Sequence, residues 1–275
     1  MSTITIAVAG KGGTGKTTIS ALLAKLLAEK GTVLAIDADP SVNLHTTLGL
    51  ELPEALGDIR EELIHADHSD SMPPGMSRHD FFALRIRQAM VESTGIDLLA
   101  MGRPEGPGCY CAANHVLRTA IDRLANSYDY VVIDNEAGME HISRQTTRDV
   151  NIVLLISDLT VRGITAAGRA QELLGELRSK VGQVYLVVNR TNGPLPPEIE
   201  KEIQAQKLHL LATISSDPAV GELDAKGRPL VELPPDSPTR KAVLRIAQEL
   251  GRVKQDAPPE PAAPPVSSRE RMEKL

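Results

Sequence analysis

Aromatic residues are nearly absent from this chain, which has no tryptophan, two phenylalanines and four tyrosines in 275 residues. The core must therefore be assembled from valine, isoleucine, leucine and alanine, a composition that suits a buried parallel sheet covered by helices. Cysteine is just as scarce. Cys109 and Cys111 are the only two, and at a spacing of i and i+2 an internal disulfide is strained. A disulfide-stapled secreted scaffold is excluded. No apolar run approaches the roughly 20 residues that cross a bilayer, and the N-terminus enters a strand pattern without a signal-peptide layout. These absences predict a soluble, cytoplasmic protein with no membrane partner. Positive charge is not in excess either. A formal net charge of -6 and a pI near 5.7 argue against a broad nucleic-acid surface.

What the chain does have is rhythm. Short apolar runs at Thr3–Ala9, Val33–Ile36, Ile96–Met101, Tyr130–Ile133, Asn151–Ile156, Gln183–Val188 and Leu208–Thr213 alternate with helical patterns. The helices are expected near Thr17–Lys30, Ala112–Ser127, Val161–Lys180, Pro196–Gln206 and Pro238–Val253. Such alternation predicts one α/β domain over residues 1–254, with a mainly parallel central sheet flanked by helices on both faces. Binding residues should then gather at the C-terminal ends of the strands. Residues 52–93 fit the rhythm less well, and the polar piece His65–Arg78, with Pro73, Pro74 and Gly75, reads as a mobile excursion. From about Gln255 to Leu275 a Pro-rich stretch has no core-forming capacity and is expected to be a disordered tail.

The densest signal is Gly10-Lys11-Gly12-Gly13-Thr14-Gly15-Lys16-Thr17, lying between a strand pattern and a helical one. That is the context of a phosphate-binding loop in a P-loop NTPase. Glycines let backbone N–H groups turn inward toward phosphate oxygens, and the helix N-terminus adds its positive end. Gly12, Gly13, Thr14, Gly15, Lys16, Thr17 and Thr18 are the candidate nucleotide-binding residues. Lys16 is expected to reach the β- and γ-phosphates, and the Thr17 hydroxyl to face Mg²⁺.

Three further clusters fall at strand ends. Asp37-Ala38-Asp39-Pro40 offers two carboxylates, Asp39 to orient water and Asp37 to support Mg²⁺, although Asp and Pro are also ordinary turn formers. The run Tyr130–Ile133 leads into Asp134-Asn135-Glu136-Ala137-Gly138, where Asp134 is placed to contact the metal or its waters and the Gly138 N–H to contact a γ-phosphate. Asn189-Arg190 follows the sixth strand pattern. The Asn189 amide can match a purine edge, and a plain polar strand terminus explains the pair equally well.

In the form Lys11-Gly12-Gly13-Thr14-Gly15-Lys16-Thr17 the loop resembles the deviant Walker A loop of the MinD/ParA/nitrogenase-iron-protein superfamily of ATPases. Asp37–Pro40 and Asp134–Gly138 resemble that superfamily's switch I and switch II segments, and the likeness covers residues 3–250 in outline. The resemblance implies an ATP-dependent homodimer in which Lys11 crosses to the partner's nucleotide, a cation supplied in trans that couples hydrolysis to dimerisation.

Cys109-Tyr110-Cys111 sits in a Gly/Pro-rich turn, Met101–Cys111, before a predicted helix. Thiolates at such a place ionise readily and bind soft metals. Two per chain are too few, but a two-fold dimer would bring four, enough for Zn²⁺ or, if flattened, Ni²⁺. The bland reading is two small residues packed under a helix. His115 could add a nitrogen ligand, though an ordinary helix-surface histidine is the simpler reading. Within the superfamily, this turn and Asp134–His141 resemble CooC-type nickel-insertion ATPases, which implies Ni²⁺ held across a dimer and a nickel enzyme as client, carbon monoxide dehydrogenase or acetyl-CoA synthase. An iron–sulfur carrier and a MinD- or ParA-like positioning ATPase are the alternatives.

Overall fold

The computed structural model describes residues 3–51, 54–59, 75, 78–102, 119, 121–137, 149–176 and 180–256. Its frame is a seven-stranded, all-parallel sheet. The strands are β1 (Ile4–Gly10), β2 (Val33–Ala38), β3 (Ile96–Ala100), β4 (Tyr130–Ala137), β5 (Asp149–Ser157), β6 (Lys180–Thr191) and β7 (Leu210–Ser215), in the order β3-β2-β4-β1-β5-β6-β7. β1 lies between β4 and β5, so the chain leaves it toward one edge and later returns to build the other. Such a reversal opens a crevice at the C-terminal strand ends, and the loop after β1 occupies it.

Both faces of the sheet are apolar, as a doubly covered parallel sheet requires. One face carries Ile6, Val8, Val33, Ala35, Val132, Ile152 and Leu154, packed against α1 (Lys16–Leu27) and α7 (Pro238–Asp256). α1 is rich in alanine and leucine, the best helix formers, and it buries Ile19, Leu22, Leu23, Leu26 and Leu27. Burying each of these large side chains contributes about 1.5–3 kcal/mol. The other face carries Ala7, Ala9, Leu34, Ile36, Ala38, Val131 and Ile133, packed with Ile164 and Leu174 of α4 (Val161–Glu176). Near the loop, β1 and β2 carry small residues on this face, Ala7, Ala9 and Ala38.

The shorter helices are α2 (Leu44–Leu48), α3 (Arg78–Ala89), α5 (Pro197–Ala205) and α6 (Pro218–Ala225). Several expectations shift. α3 lies inside the stretch that lacks a clear rhythm; its apolar set is mixed with Arg78, Arg85 and Arg87, which blurs the periodicity. Neither α2 nor α6 was expected, both being too short to show a helical period. The helix expected over Val161–Lys180 stops at Glu176, because Lys180 and Val181 pair with Asp149 and Val150 as the start of β6. Helix α7 runs to Asp256, one residue beyond the expected start of the tail at Gln255. Apart from Gly75 and Arg78, the excursion 65–78 lies outside the described residues, as does 257–275.

One irregularity matters for function. β1 pairs with β4 at Val8↔Asp134 and again at Gly10↔Ala137, so β4 carries one extra residue in the stretch Asn135–Glu136. This is a β-bulge, of the kind that bends a strand and re-aims the chain that leaves it.

Candidate functional site

The phosphate loop is built around one carbonyl. The Lys11 oxygen accepts from the Thr14 backbone N–H at 3.4 Å, from the Thr14 hydroxyl at 2.8 Å and from Lys16 Nζ at 3.4 Å. Lys16 is 7% exposed, whereas the Lys11 side chain is exposed. Two glycines are required by geometry. Gly10 has φ 144° and lies so close to β5 that a Cβ would overlap the Ile156 carbonyl oxygen. Gly15, at φ 92°, caps α1 in the left-handed region, and a Cβ there would press into the Asn189 amide.

Below the loop the strand register sets Asp37 of β2 directly beside Asp134 of β4. Both are buried, at 0% and 1% exposure. Asp134 Oδ1 accepts from the Ser20 hydroxyl at 2.9 Å, and Thr17 also hydrogen-bonds its carboxylate. Asp37 accepts from the backbone N–H groups of Asp39 at 3.1 Å and Leu44 at 2.8 Å, which shapes the turn into α2. Burial pushes the Asp134 carboxyl up to about 7, with the neighbouring Asp37 charge adding to the effect while Thr17, Ser20 and Lys16 oppose it. Burial likewise pushes Asp37 up to about 6 against its two backbone donors. Two adjacent buried carboxylates that resist ionisation, beside a threonine hydroxyl, fit a divalent cation. Mg²⁺ takes oxygen ligands and would offset both desolvation and mutual repulsion. Asp39, half-buried, turns its Oδ1 to the Ser41 N–H at 2.8 Å.

Asn189 holds the loop from the end of β6. Its Nδ2 donates to the Thr14 carbonyl at 2.8 Å and its Oδ1 accepts from the Arg190 N–H at 2.9 Å. Arg190 follows with φ 57°, uncommon for a non-glycine residue and a mark of local constraint. Beside them opens a cleft of about 460 Å³ lined by Gly15, Thr18, Asn189, Arg190, Asp217 and Asp224 among others. Asp217 holds its far wall. It caps α6 by accepting from the Ala219 N–H at 3.0 Å, and it also accepts from the Ser237 hydroxyl and the Thr239 N–H at the start of α7.

The structure thus brings together Lys11, Gly12, Gly13, Thr14, Gly15, Lys16, Thr17, Thr18, Asp37, Asp39, Asp134, Asn189 and Arg190 around one end of the sheet. Cys109, Cys111, His115 and Gly138 lie outside the described residues. Sequence reasoning missed Ser20, Asn135 and Asp217. Ser20 follows Thr17 by three residues, one helical turn, so its reach to the same carboxylate was legible in principle. The Asp217-Pro218 pair is a helix-start signal that passed unread. For Asn135 there was no local signal.

The comparisons with known proteins agree with this geometry. Residues 5–230 match the family described as CobQ/CobB/MinD/ParA nucleotide binding domain. The chain is 42% identical over 246 residues to an uncharacterized ATP-binding protein of Methanocaldococcus jannaschii, covering 89% of this chain and 97% of that one. It is 31% identical over 240 residues to the carbon monoxide dehydrogenase accessory protein CooC of Rhodospirillum rubrum, covering 84% and 90%. In fold it is similar to the cell division ATPase MinD of Pyrococcus furiosus, with a TM-score of 0.65 at 24% identity over 91% of this chain and 99% of that one. With the loop, the acidic pair and the parallel sheet in place, the chain belongs to the CobQ/CobB/MinD/ParA nucleotide binding domain family of P-loop proteins.

Proposed function

We propose that this protein is a homodimeric ATPase that delivers nickel to a metalloenzyme. The observation that carries the hydrolysis reading is the buried Asp37–Asp134 pair set in register beneath the Lys16 loop. Mg²⁺ supplies charge neutralisation and orientation of the β- and γ-phosphates when bound. Asp134 and Thr17 would hold it, with Asp37 supporting it through its water shell. Lys16 leaves its weak contact with the Lys11 carbonyl to meet phosphate oxygens, and the loop backbone N–H groups cradle them. Asp39 orients the attacking water. Lys11, exposed at the loop, stabilises phosphate charge across the dimer. Thr18, Asn189 and Arg190 border the cleft beside the loop, which is open to receive the nucleoside end of ATP.

The delivery reading is supported by Cys109 and Cys111 and by the 31% identity to the CooC protein, whose name ties it to carbon monoxide dehydrogenase. Four thiolates from two chains would bind one Ni²⁺ as cargo. Gly138 would report the γ-phosphate to the dimer, and carbon monoxide dehydrogenase or acetyl-CoA synthase would be the client. Metal analysis of the anaerobically purified protein, with and without ATP, tests this. One nickel per two chains, lost in Cys109→Ser and in Cys111→Ser, is expected. Undiminished nickel in both variants overturns the nickel reading, and a visible iron–sulfur absorption replaces it with a cluster carrier. Co-sedimentation with DNA or anionic liposomes in the presence of ATP would instead favour a positioning ATPase.

A further inference from the structure

Asn135 is buried, at 1% exposure, yet its oxygen Oδ1 has no hydrogen-bond partner among the described residues. The orientation of the amide is fixed by its surroundings. Nδ2 donates to the Val8 carbonyl at 3.1 Å and lies 3.4 Å from the Ile133 carbonyl, both acceptors. Turning the amide over would set oxygen against oxygen, so the unpartnered atom is the carbonyl.

Its position in the sheet is equally specific. Asn135 lies within the β-bulge where β4 slips by one residue against β1, directly after Asp134 and alongside Ala38 of β2. A side-chain amide thus ties β4 to β1 where the regular ladder is interrupted. On the same face the neighbouring strands carry Ala9 and Ala38, so these two strands place nothing bulky beside the amide. Two observations, a strand bulge and a buried acceptor left open, coincide directly after the Asp134 carboxylate.

We infer that Asn135 is a positioning residue for ATP hydrolysis. Its nitrogen pins the bulge that aims the end of β4, and its oxygen is a vacant acceptor filled when the nucleotide-bound conformation forms. A conformer that pairs this oxygen is favoured over one that leaves it buried and bare. The residue touches neither phosphate nor metal and acts through the backbone that follows Asp134. This inference rests on the ATPase reading above.

Steady-state ATPase kinetics on the full chain test it, with Asn135→Leu, near-isosteric and apolar, beside Asn135→Ala. Both are assayed at temperatures where circular dichroism shows them fully folded. The expected result is a kcat about tenfold lower in each, with KM for MgATP within about twofold of the wild type. Hydrogen exchange adds a second readout: a non-hydrolysable ATP analogue slows exchange of the 135–137 amides in the wild type and not in Asn135→Leu. Unchanged kcat in both folded variants, or analogue protection that persists in Asn135→Leu, overturns the inference and leaves the ATPase reading standing. A wild-type protein that binds but does not hydrolyse ATP overturns both.

Discussion

Asp134 and Asn135 are neighbours in sequence and face opposite sides of the sheet, where they meet opposite treatment. Asp134 points toward α1 and finds Ser20, Thr17 and Lys16 within its reach, all opposing the effect of burial. Asn135, on the alternate face of the strand, has one end tied to the Val8 carbonyl and the other bare among the described residues. The contrast extends to the packing. The α1 face is filled by large aliphatic side chains locked between sheet and helices, whereas the opposite face near the loop uses Ala7, Ala9 and Ala38. One side of the strand end is a fixed chemical floor. The other is lined on β1 and β2 by small, fully buried side chains.

The largest effect expected on this comparison comes from removing the cation on the fixed side. Lys16→Ala should lower ATP hydrolysis by at least about 100-fold, measured as phosphate release, since the ammonium contributes directly to phosphate stabilisation. The tenfold fall expected at Asn135 is smaller because that residue acts only through the backbone. In stability the packed α1 face should stand out against the exposed surface of α4, as a contrast between two leucines. Leu23→Ala empties a site at 0% exposure in α1 and should cost about 2–5 kcal/mol in urea unfolding. Leu173→Ala, at 54% exposure on α4, should stay within about 0.5 kcal/mol.

The smallest effect is a pH dependence confined to the acidic pair. Asp37 and Asp134 are raised to about 6 and about 7. Between roughly pH 4 and 7 the folded protein therefore keeps protons that the unfolded chain has released. The stability contributed by these groups is full below the ordinary aspartate range and declines as pH rises through the folded values. Without nucleotide or metal the protein should melt at a lower temperature at pH 8 than at pH 5. Mg²⁺ should narrow that gap and Asp134→Asn should remove most of it. A gap that Asp134→Asn leaves intact would assign the pH dependence to other groups.

The parts of the site legible in the sequence are those whose chemistry is contiguous. Residues 10–17 announce a phosphate loop because turn, charge and hydroxyl must be adjacent to work at all. Asp37 and Asp134 were legible because each terminates an apolar run, although the strands continue past both of them. What was not legible depends on partners far away along the chain. Asn189 clamps a carbonyl 175 residues back, and Asn135 ties to a carbonyl 127 residues earlier. Asn189 illustrates the limit well. A side-chain amide offers a donor and an acceptor wherever it lies, but only the packed sheet shows that both ends engage the protein's own backbone. The helices α2 and α6 are a different case: each is too short to show a period, and each starts where a carboxylate nearby in sequence receives its first N–H groups, Asp37 for α2 and Asp217 for α6.

The central placement of β1 has a consequence for how the molecule is made. The strand that carries the phosphate loop is made well before its partners, which begin at Tyr130 and Ile152. At roughly 5–20 residues per second of synthesis, Ile4–Gly10 waits on the order of 7–30 s for a neighbour. During that interval an apolar, β-prone segment is exposed without its ladder, and no nucleotide site exists to stabilise it. The edge pair β2–β3 can form before β1 has a neighbour, and the nucleotide can act only once β4 has joined β1 to that pair.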